Sequence, residues 1–270
     1  LEAFAAGADE VVAPARAALD VADRERVLQV VGQVRPHTIV HAAAWTDVDG
    51  CEREPDRAFA VNALGTRHVA EAARLTGARV CYISTDYVFD GAAGRPYDEW
   101  DAPNPVSVYG RSKRGGELEL SPEDTIVRTS WLCGRHGRNF VKTVLVRAGA
   151  AGGALRVVDD QVGCPTFADD LAGMVRRLVV GRLPGLFHVT NQGATSWYRF
   201  ACDILAEAGL DPATVVPIKT AELDPPRPAP RPPMSVLDNA ALRLSGLPLL
   251  ADHHEPLERL VEHLAVPSRA

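Results

Sequence analysis

The sequence predicts an α/β protein, a doubly wound and mostly parallel sheet followed by a smaller C-terminal lobe. Over the first 130 residues, short β-branched runs alternate with longer amphipathic ones, the pattern of βαβ units whose sheet is covered on both faces. The chain has 270 residues, 46% of them hydrophobic and 24% charged, enough to bury one large core or two interleaved ones. No stretch approaches the roughly 18 uninterrupted apolar residues of a membrane helix, so no membrane partner is expected.

Leu1–Ala6 reads as the tail of a helix and Glu10–Ala13 (EVVA) as a strand. Asp23 can N-cap a helix whose apolar positions Val27, Leu28, Val30, Val31 and Val34 form one face, stopped before Pro36. Thr38–His41 (TIVH), Arg79–Ser84 (RVCYIS) and Thr125–Thr129 (TIVRT) are further strands, each entered from a polar or Gly/Pro-containing segment. A helix runs from about Pro55 to Leu75, with proline tolerated in its first turn and Gly77 just past its end. Beyond Trp131 the alternation is less regular, with helices near Asn139–Ala148, Ala168–Val180 and Ser196–Ala208 and strands at Leu155–Val158 and Leu186–Val189. Asp224–Pro233 (DPPRPAPRPP) is too proline-dense for a helix or inner strand and reads as a packed loop or an exposed PxxP ligand. A final amphipathic helix spans about Pro256–Leu264. The expected organisation is a first domain over residues 1–130 and a second lobe over 131–270, partly interleaved with it.

The net charge of −6 gives no field that would attract a phosphodiester backbone, so nucleic acid is not an expected partner. Five cysteines, Cys51, Cys81, Cys133, Cys164 and Cys202, are odd in number and never closer than 30 residues. Neither a disulfide lattice nor a CxxC clip is written there, and a reducing cytoplasm fits. The eight histidines form no HExxH, and adjacent His253 and His254 point in different directions on any regular element, so no metal site is expected.

A dinucleotide-binding fold usually carries a glycine-rich turn between its first strand and first helix, where backbone N–H groups meet the pyrophosphate. The only comparable cluster, Gly149–Gly153 (GAAGG), follows a helix and precedes a strand, the order of a connecting turn. A βαβ unit takes about 30 residues, so the expected turn lies upstream of Leu1, with roughly 20 residues preceding this sequence. The sharpest chemical feature is Tyr109-Gly-Arg-Ser-Lys113, whose i, i+4 spacing puts a phenol and an ammonium on one helix face. Alone, it is equally an exposed Tyr/Lys pair. Upstream, Ser84-Thr85-Asp86 ends an apolar strand, where ligands bind in open α/β sheets. Together they suit ketone reduction. Thr85 would hydrogen-bond the carbonyl, Tyr109 would donate the proton, and Lys113 would bring the phenol's pKa of about 10 nearer neutrality. The hydride needs a nicotinamide.

Thr85, Tyr109 and Lys113 on a βαβ chain resemble the catalytic set of the extended short-chain dehydrogenases/reductases. Further segments resemble one branch of that family, the dTDP-4-dehydrorhamnose reductases. They are His41-Ala-Ala-Ala-Trp-Thr-Asp-Val-Asp49, Val61-Asn62-Ala63, Ser84-Thr-Asp-Tyr-Val-Phe89, Val108-Tyr-Gly110, Arg128-Thr-Ser-Trp131, Val158-Asp-Asp-Gln-Val-Gly-Cys-Pro-Thr166 and Phe187-His-Val-Thr-Asn191. The resemblance implies a Rossmann-like fold and NADPH or NADH as cofactor. The implied reaction is reduction of dTDP-4-dehydro-6-deoxy-L-mannose to dTDP-L-rhamnose, by a monomer or homodimer. It implies cofactor contacts from Asp20-Val21 beside the adenine, from Ala42-Ala43-Ala44 beneath the cofactor, and from Tyr109 and Lys113. Thr85, Asp86 and Trp131 resemble the sugar-nucleotide contacts, Thr46 lies in a similar stretch, and Arg231 would approach the diphosphate. Asp20 is equally a turn or capping residue, the alanine run helix packing, Trp131 a core side chain, and Arg16, a candidate for a 2′-phosphate, an exposed arginine. A sister 4-ketoreductase and a non-catalytic regulatory subunit of the same fold remain the alternatives.

Overall fold

Four strands, β1 (Thr38–His41), β2 (Arg79–Thr85), β3 (Thr125–Thr129) and β8 (Gly185–His188), pair in that order and all in parallel. The structure is a computed structural model that describes residues 2–5, 10–149 and 154–265. A parallel sheet is covered on both faces because each crossover returns through a helix. On one face Val80 and Tyr82 of β2 cluster with Val27 and Val31 of α2 (Arg24–Val34) and with Val69, Ala72 and Ala73 of α5 (Gly65–Thr76). On the other, Cys81, Val127 and Phe187 meet Leu171, Met174, Val175 and Leu178 of α8 (Ala168–Val180), Leu242 of α10 (Ala240–Leu244) and Phe4 of α1 (Glu2–Ala5). Consecutive residues of β2 thus serve opposite faces, the period of two that a pleated strand imposes.

The second core gathers around Phe200, Ile204 and Leu205 of α9 (Trp197–Glu207), with α7 (Phe140–Gly149) and α11 (His254–Ala265). Paired strands flank it: β5 (Leu155–Val158) with β10 (Val215–Ile218), β4 (Leu132–Cys133) with β7 (Thr166–Phe167), and β6 (Val162–Gly163) with β9 (Thr195–Ser196). A single cut near residue 130 does not separate the two cores, since α8, β8 and α10 all lie beyond it and build on the first sheet. Among the described residues no helix is long and apolar enough to cross a membrane.

Helix ends follow their capping chemistry. The Asp23 carboxylate accepts from Arg26 N, and α5 stops at Gly77, whose φ of 75° is the left-handed conformation glycine adopts freely.

Three expectations are corrected. Glu10–Ala13 is not a strand: its side chains are exposed, and a strand requires a neighbour with which to exchange ladder bonds, which these residues lack among the described ones. The single helix expected over 55–75 is α4 (Pro55–Phe59), a π-helical turn at Ala60–Leu64, and α5. His253 and His254 do not diverge. His253 ends a turn and His254 opens α11, so the backbone swings between them and their rings stack with centroids 4.1 Å apart. The proline-dense segment 224–233 has neither helix nor strand and is held to the body through Asp49, described below. Leu1, Ala6 and all of the Gly149–Gly153 cluster beyond Gly149 lie outside the described residues.

Candidate active site

The carboxyl ends of the parallel strands bring the chemistry together. Ala42–Ala44 leave β1, Thr85 ends β2 opposite Thr129 of β3, and Trp131 follows β3. Helix α6 (Val108–Glu117) carries Tyr109 and Lys113 against this edge. Ser107 caps it by accepting from Gly110 N, and the Glu52 carboxylate of α3 (Val48–Arg53) accepts from Val108 N at 2.6 Å, a negative charge at a helix N-terminus. Two glycines set how closely α6 approaches. A Cβ on Gly110 would lie 2.0 Å from the Tyr87 carbonyl oxygen, and one on Gly116 2.5 Å from the Asn62 carbonyl oxygen and the Tyr82 hydroxyl. Gly110→Ala is therefore expected to destabilise the fold by about 1–3 kcal/mol, read as a lower urea midpoint. Turnover should fall as well, because Tyr87 packs edge-on against the Tyr109 ring, centroids 5.8 Å apart.

Thr85 is buried, donates to Asp86 Oδ1 at 3.0 Å and accepts from Tyr87 N at 3.2 Å. Asp86 also accepts from Ser235 Oγ at 2.5 Å; burial pushes its carboxyl up to about 7 while the two hydroxyls oppose the shift. The Lys113 ammonium donates to the Ile83 carbonyl oxygen at 2.7 Å and lies 4.0 Å from the centroid of the Tyr82 ring. Burial pulls it down to about 7, with Glu117 acting the other way. The expected depression of Tyr109 is reversed: burial raises the phenol above its ordinary value, opposed in part by the neighbouring Thr85 hydroxyl and not by Lys113. The reason is direction, since Lys113 turns its charge toward Ile83 and Tyr82.

Two groups of residues, most of them inside the quoted segments but given no role there, support this set. In the π-turn, Asn62 accepts from Trp45 N at 2.8 Å and donates to Trp45 O at 3.1 Å and Ser112 Oγ at 2.9 Å. One side chain thereby ties the loop after β1 to α6, a use for the extra residue that a π-turn inserts. Beneath α6, Ser84, Arg128 and His188 stand in register across β2, β3 and β8. Glu117 docks on that row, accepting from Ser84 Oγ (2.6 Å), from Arg128 Nε and Nη2 (2.9 and 2.8 Å) and from Arg114 (2.8 Å). Glu117 sits four residues past Lys113 on the same face, the one sequence signal that could have found it.

The other predicted residues fall as follows. Ala42 and Ala43 are exposed and Ala44 partly so, at the carboxyl edge. Asp20 accepts from Ala22 N and pairs loosely with exposed Arg16 at 3.6 Å, while Val21 is buried beside Gly65 at the start of α5. Thr46 is exposed. Trp131 adopts a φ of 46° and stacks on Trp197 with ring centroids 3.5 Å apart, so one of its faces is already taken. Arg231 is held bidentately by Asp49, both bonds 2.9 Å, with its side chain only 9% exposed. For a nicotinamide cofactor the residues present fit the ribose and nicotinamide end. A buried ammonium with three N–H donors makes one hydrogen bond, beside a phenol and a loop whose methyl side chains permit close approach.

The chain matches the family model described as the RmlD substrate binding domain over residues 1–266. It is 44% identical over 246 residues to a dTDP-4-dehydrorhamnose reductase of Streptomyces griseus, covering 88% of this chain and 80% of that protein. It is 42% identical over 243 residues to a dTDP-4-keto-6-deoxy-D-glucose reductase of Streptomyces niveus, covering 88% and 83%. Among solved structures, a dTDP-4-dehydrorhamnose reductase of Bacillus anthracis in complex with NADP is similar with a TM-score of 0.87 and 42% identity, over 92% of this chain and 88% of that one.

Proposed function

We propose, from the premise that this chain belongs to the RmlD substrate binding domain family, that it is an NAD(P)H-dependent reductase of the 4-ketone in dTDP-4-dehydro-6-deoxy-L-mannose, yielding dTDP-L-rhamnose. The observation that carries the reading is Thr85 at the carboxyl end of β2, with Tyr109 and Lys113 one turn apart on α6 and Lys113 tied to β2 through the Ile83 carbonyl oxygen. The nicotinamide, when bound, supplies the hydride to C4 of the sugar.

The protein's own groups handle the oxygen. The Thr85 hydroxyl, its proton turned from Asp86 Oδ1 to the substrate, and the Tyr109 hydroxyl hold the carbonyl in place, and Tyr109 gives its proton as negative charge develops there. Lys113, held by the Ile83 carbonyl oxygen, keeps N–H donors free to hold the cofactor beside Tyr109. Asp86 orients the Thr85 hydroxyl, and its carboxyl, poised near neutrality, joins the substrate side of the site to Ser235. Five free thiols, four of them buried, support a reducing compartment such as the cytoplasm.

A second reading has an observation behind it. The relative that reduces the D-glucose-derived keto sugar is nearly as similar as the rhamnose enzyme, 42% against 44% identity. Steady-state NADPH oxidation with each dTDP-4-keto-6-deoxy sugar separates them. The rhamnose precursor is expected to give the higher kcat/KM by at least about tenfold, a difference of about 1.4 kcal/mol in transition-state binding. The reverse order moves the assignment to the sister reductase, and no oxidation of either sugar by folded, NADPH-binding protein removes both.

A further inference from the structure

We propose that Asp203, His253 and His254 form a binding site for a divalent transition-metal ion of the zinc class, in the second lobe and outside the reductase site. One ligand atom from each residue lies within 4.8 Å of the others. Asp203 Oδ2 is 3.9 Å from His253 Nε2 and 3.7 Å from His254 Nε2. Zinc bonds of about 2.0–2.2 Å in tetrahedral array hold ligand atoms about 3.3–3.5 Å apart, so closing on an ion requires movements of only a few tenths of an ångström at the Asp203 contacts.

The histidines are already oriented as ligands. His254 Nδ1 lies 2.6 Å from Asp252 Oδ1, and His253 Nδ1 lies 3.2 Å from the Gln192 carbonyl oxygen. Carboxylate and carbonyl oxygens only accept here, so each Nδ1 carries the proton and each Nε2, 3.9 and 3.7 Å from Asp203 Oδ2, keeps its lone pair for a ligand. Anchoring of the distal ring nitrogen by a carboxylate or a carbonyl is how metal-binding imidazoles are generally fixed.

His253 Nε2 supplies the independent observation. The side chain is 3% exposed and this nitrogen has no hydrogen-bond partner. A buried polar atom left unpaired is destabilising, and an ion at this point would satisfy it. Gly193 keeps the anchor tight: at a φ of 91° it carries the chain where a Cβ would lie 2.6 Å from His253 Nδ1 and 2.8 Å from Asp252 Oδ2. Two imidazoles and one carboxylate favour zinc, copper, nickel or cobalt over magnesium or calcium, which prefer all-oxygen sites. The ion would clasp α9, through Asp203, to the start of α11, two elements that share the second core.

The test uses the intact chain stripped of metal by a chelator that is then removed, titrated with zinc chloride alone against a chromophoric competitor. One equivalent is expected to bind and to raise the thermal midpoint. His254→Gln and Asp203→Asn, at exposed and half-exposed positions, should fold, bind at least about tenfold more weakly and lose the rise in midpoint. Cobalt added to the unmutated protein should give the visible absorption of a low-coordinate nitrogen and oxygen site. Failure of the folded protein to bind zinc, equal binding by both variants, or only the pale spectrum of hydrated cobalt would each overturn the proposal.

Discussion

Tyr109→Phe is expected to lower kcat by about a thousandfold, in the middle of the range for removing a positioned general acid, with NADPH affinity nearly unchanged. The substitution deletes one oxygen and keeps the ring that packs on Tyr87, so the fold should not register it. A single-turnover experiment with NADPH already bound checks this directly. Slow hydride transfer at normal cofactor occupancy supports the phenol as proton donor. Turnover close to that of the unmodified protein would mean that the proton reaches the sugar oxygen by another route. The elevated phenol makes the role chemically sensible: with burial raising it above its ordinary value, Tyr109 rests protonated at neutral pH and is ready to donate.

The largest stability effect should come from Glu117→Gln. Glu117 and Arg128 have side chains 0% and 2% exposed, and the carboxylate receives four hydrogen bonds. Leaving Arg128 buried with its charge uncompensated is expected to cost about 3–5 kcal/mol. His188 cannot compensate, since an imidazole carries no negative charge; burial and the neighbouring guanidinium pull it down to about 3 and keep it neutral. Burial works against the charged carboxylate, but Arg128, Ser84 and Arg114 overcome it and hold Glu117 below the usual carboxylate range. A group depressed in the folded state contributes stability above its unfolded pKa and loses it as pH falls through the folded value. Urea titrations at neutral pH and at about pH 3 should therefore show the unmodified protein losing this contribution on acidification and the variant showing a shallower dependence. Replacing Arg128 by Met in the same chain should restore part of the loss. An unchanged midpoint at neutral pH for Glu117→Gln alone would refute the role assigned to the pair.

Strands with strong local patterns, Thr38–His41 and Thr125–Thr129, were legible residue by residue, as was helix Ala168–Val180. What the sequence could not display were partnerships between distant residues. Nothing near Glu10–Ala13 shows that the segment lacks a neighbour among the described residues, and a helical period does not reveal that Asn62 shifts the hydrogen bonding of its turn to reach Trp45 and Ser112. Arg231 read as a free cation because its carboxylate lies 182 residues earlier. Lys113 read as the tuner of Tyr109 because spacing gives the face of a side chain but not the carbonyl that receives it. Tyr109, Lys113 and Thr85 stood out because their chemistry is unusual in combination; Ser84, Arg128 and His188 did not, because only the register of three strands makes them neighbours.

The segment from Ala229 to Ser235 reaches back to Asp49 and Asp86 across 149 to 182 residues. Synthesis proceeds from the N-terminus, so a nascent chain can form Thr85, Tyr109 and Lys113 on their strand and helix long before Arg231 and Ser235 emerge. Until then the carboxylates of Asp49 and Asp86 have no partner from this segment. The order of assembly therefore separates Thr85, Tyr109 and Lys113 from the late contacts that close on Asp49 and Asp86. Contacts this far apart in sequence also slow the closing step, since long loops must be ordered before they are rewarded. A chain halted shortly before Arg231 would hold the reactive groups without the clasp around them.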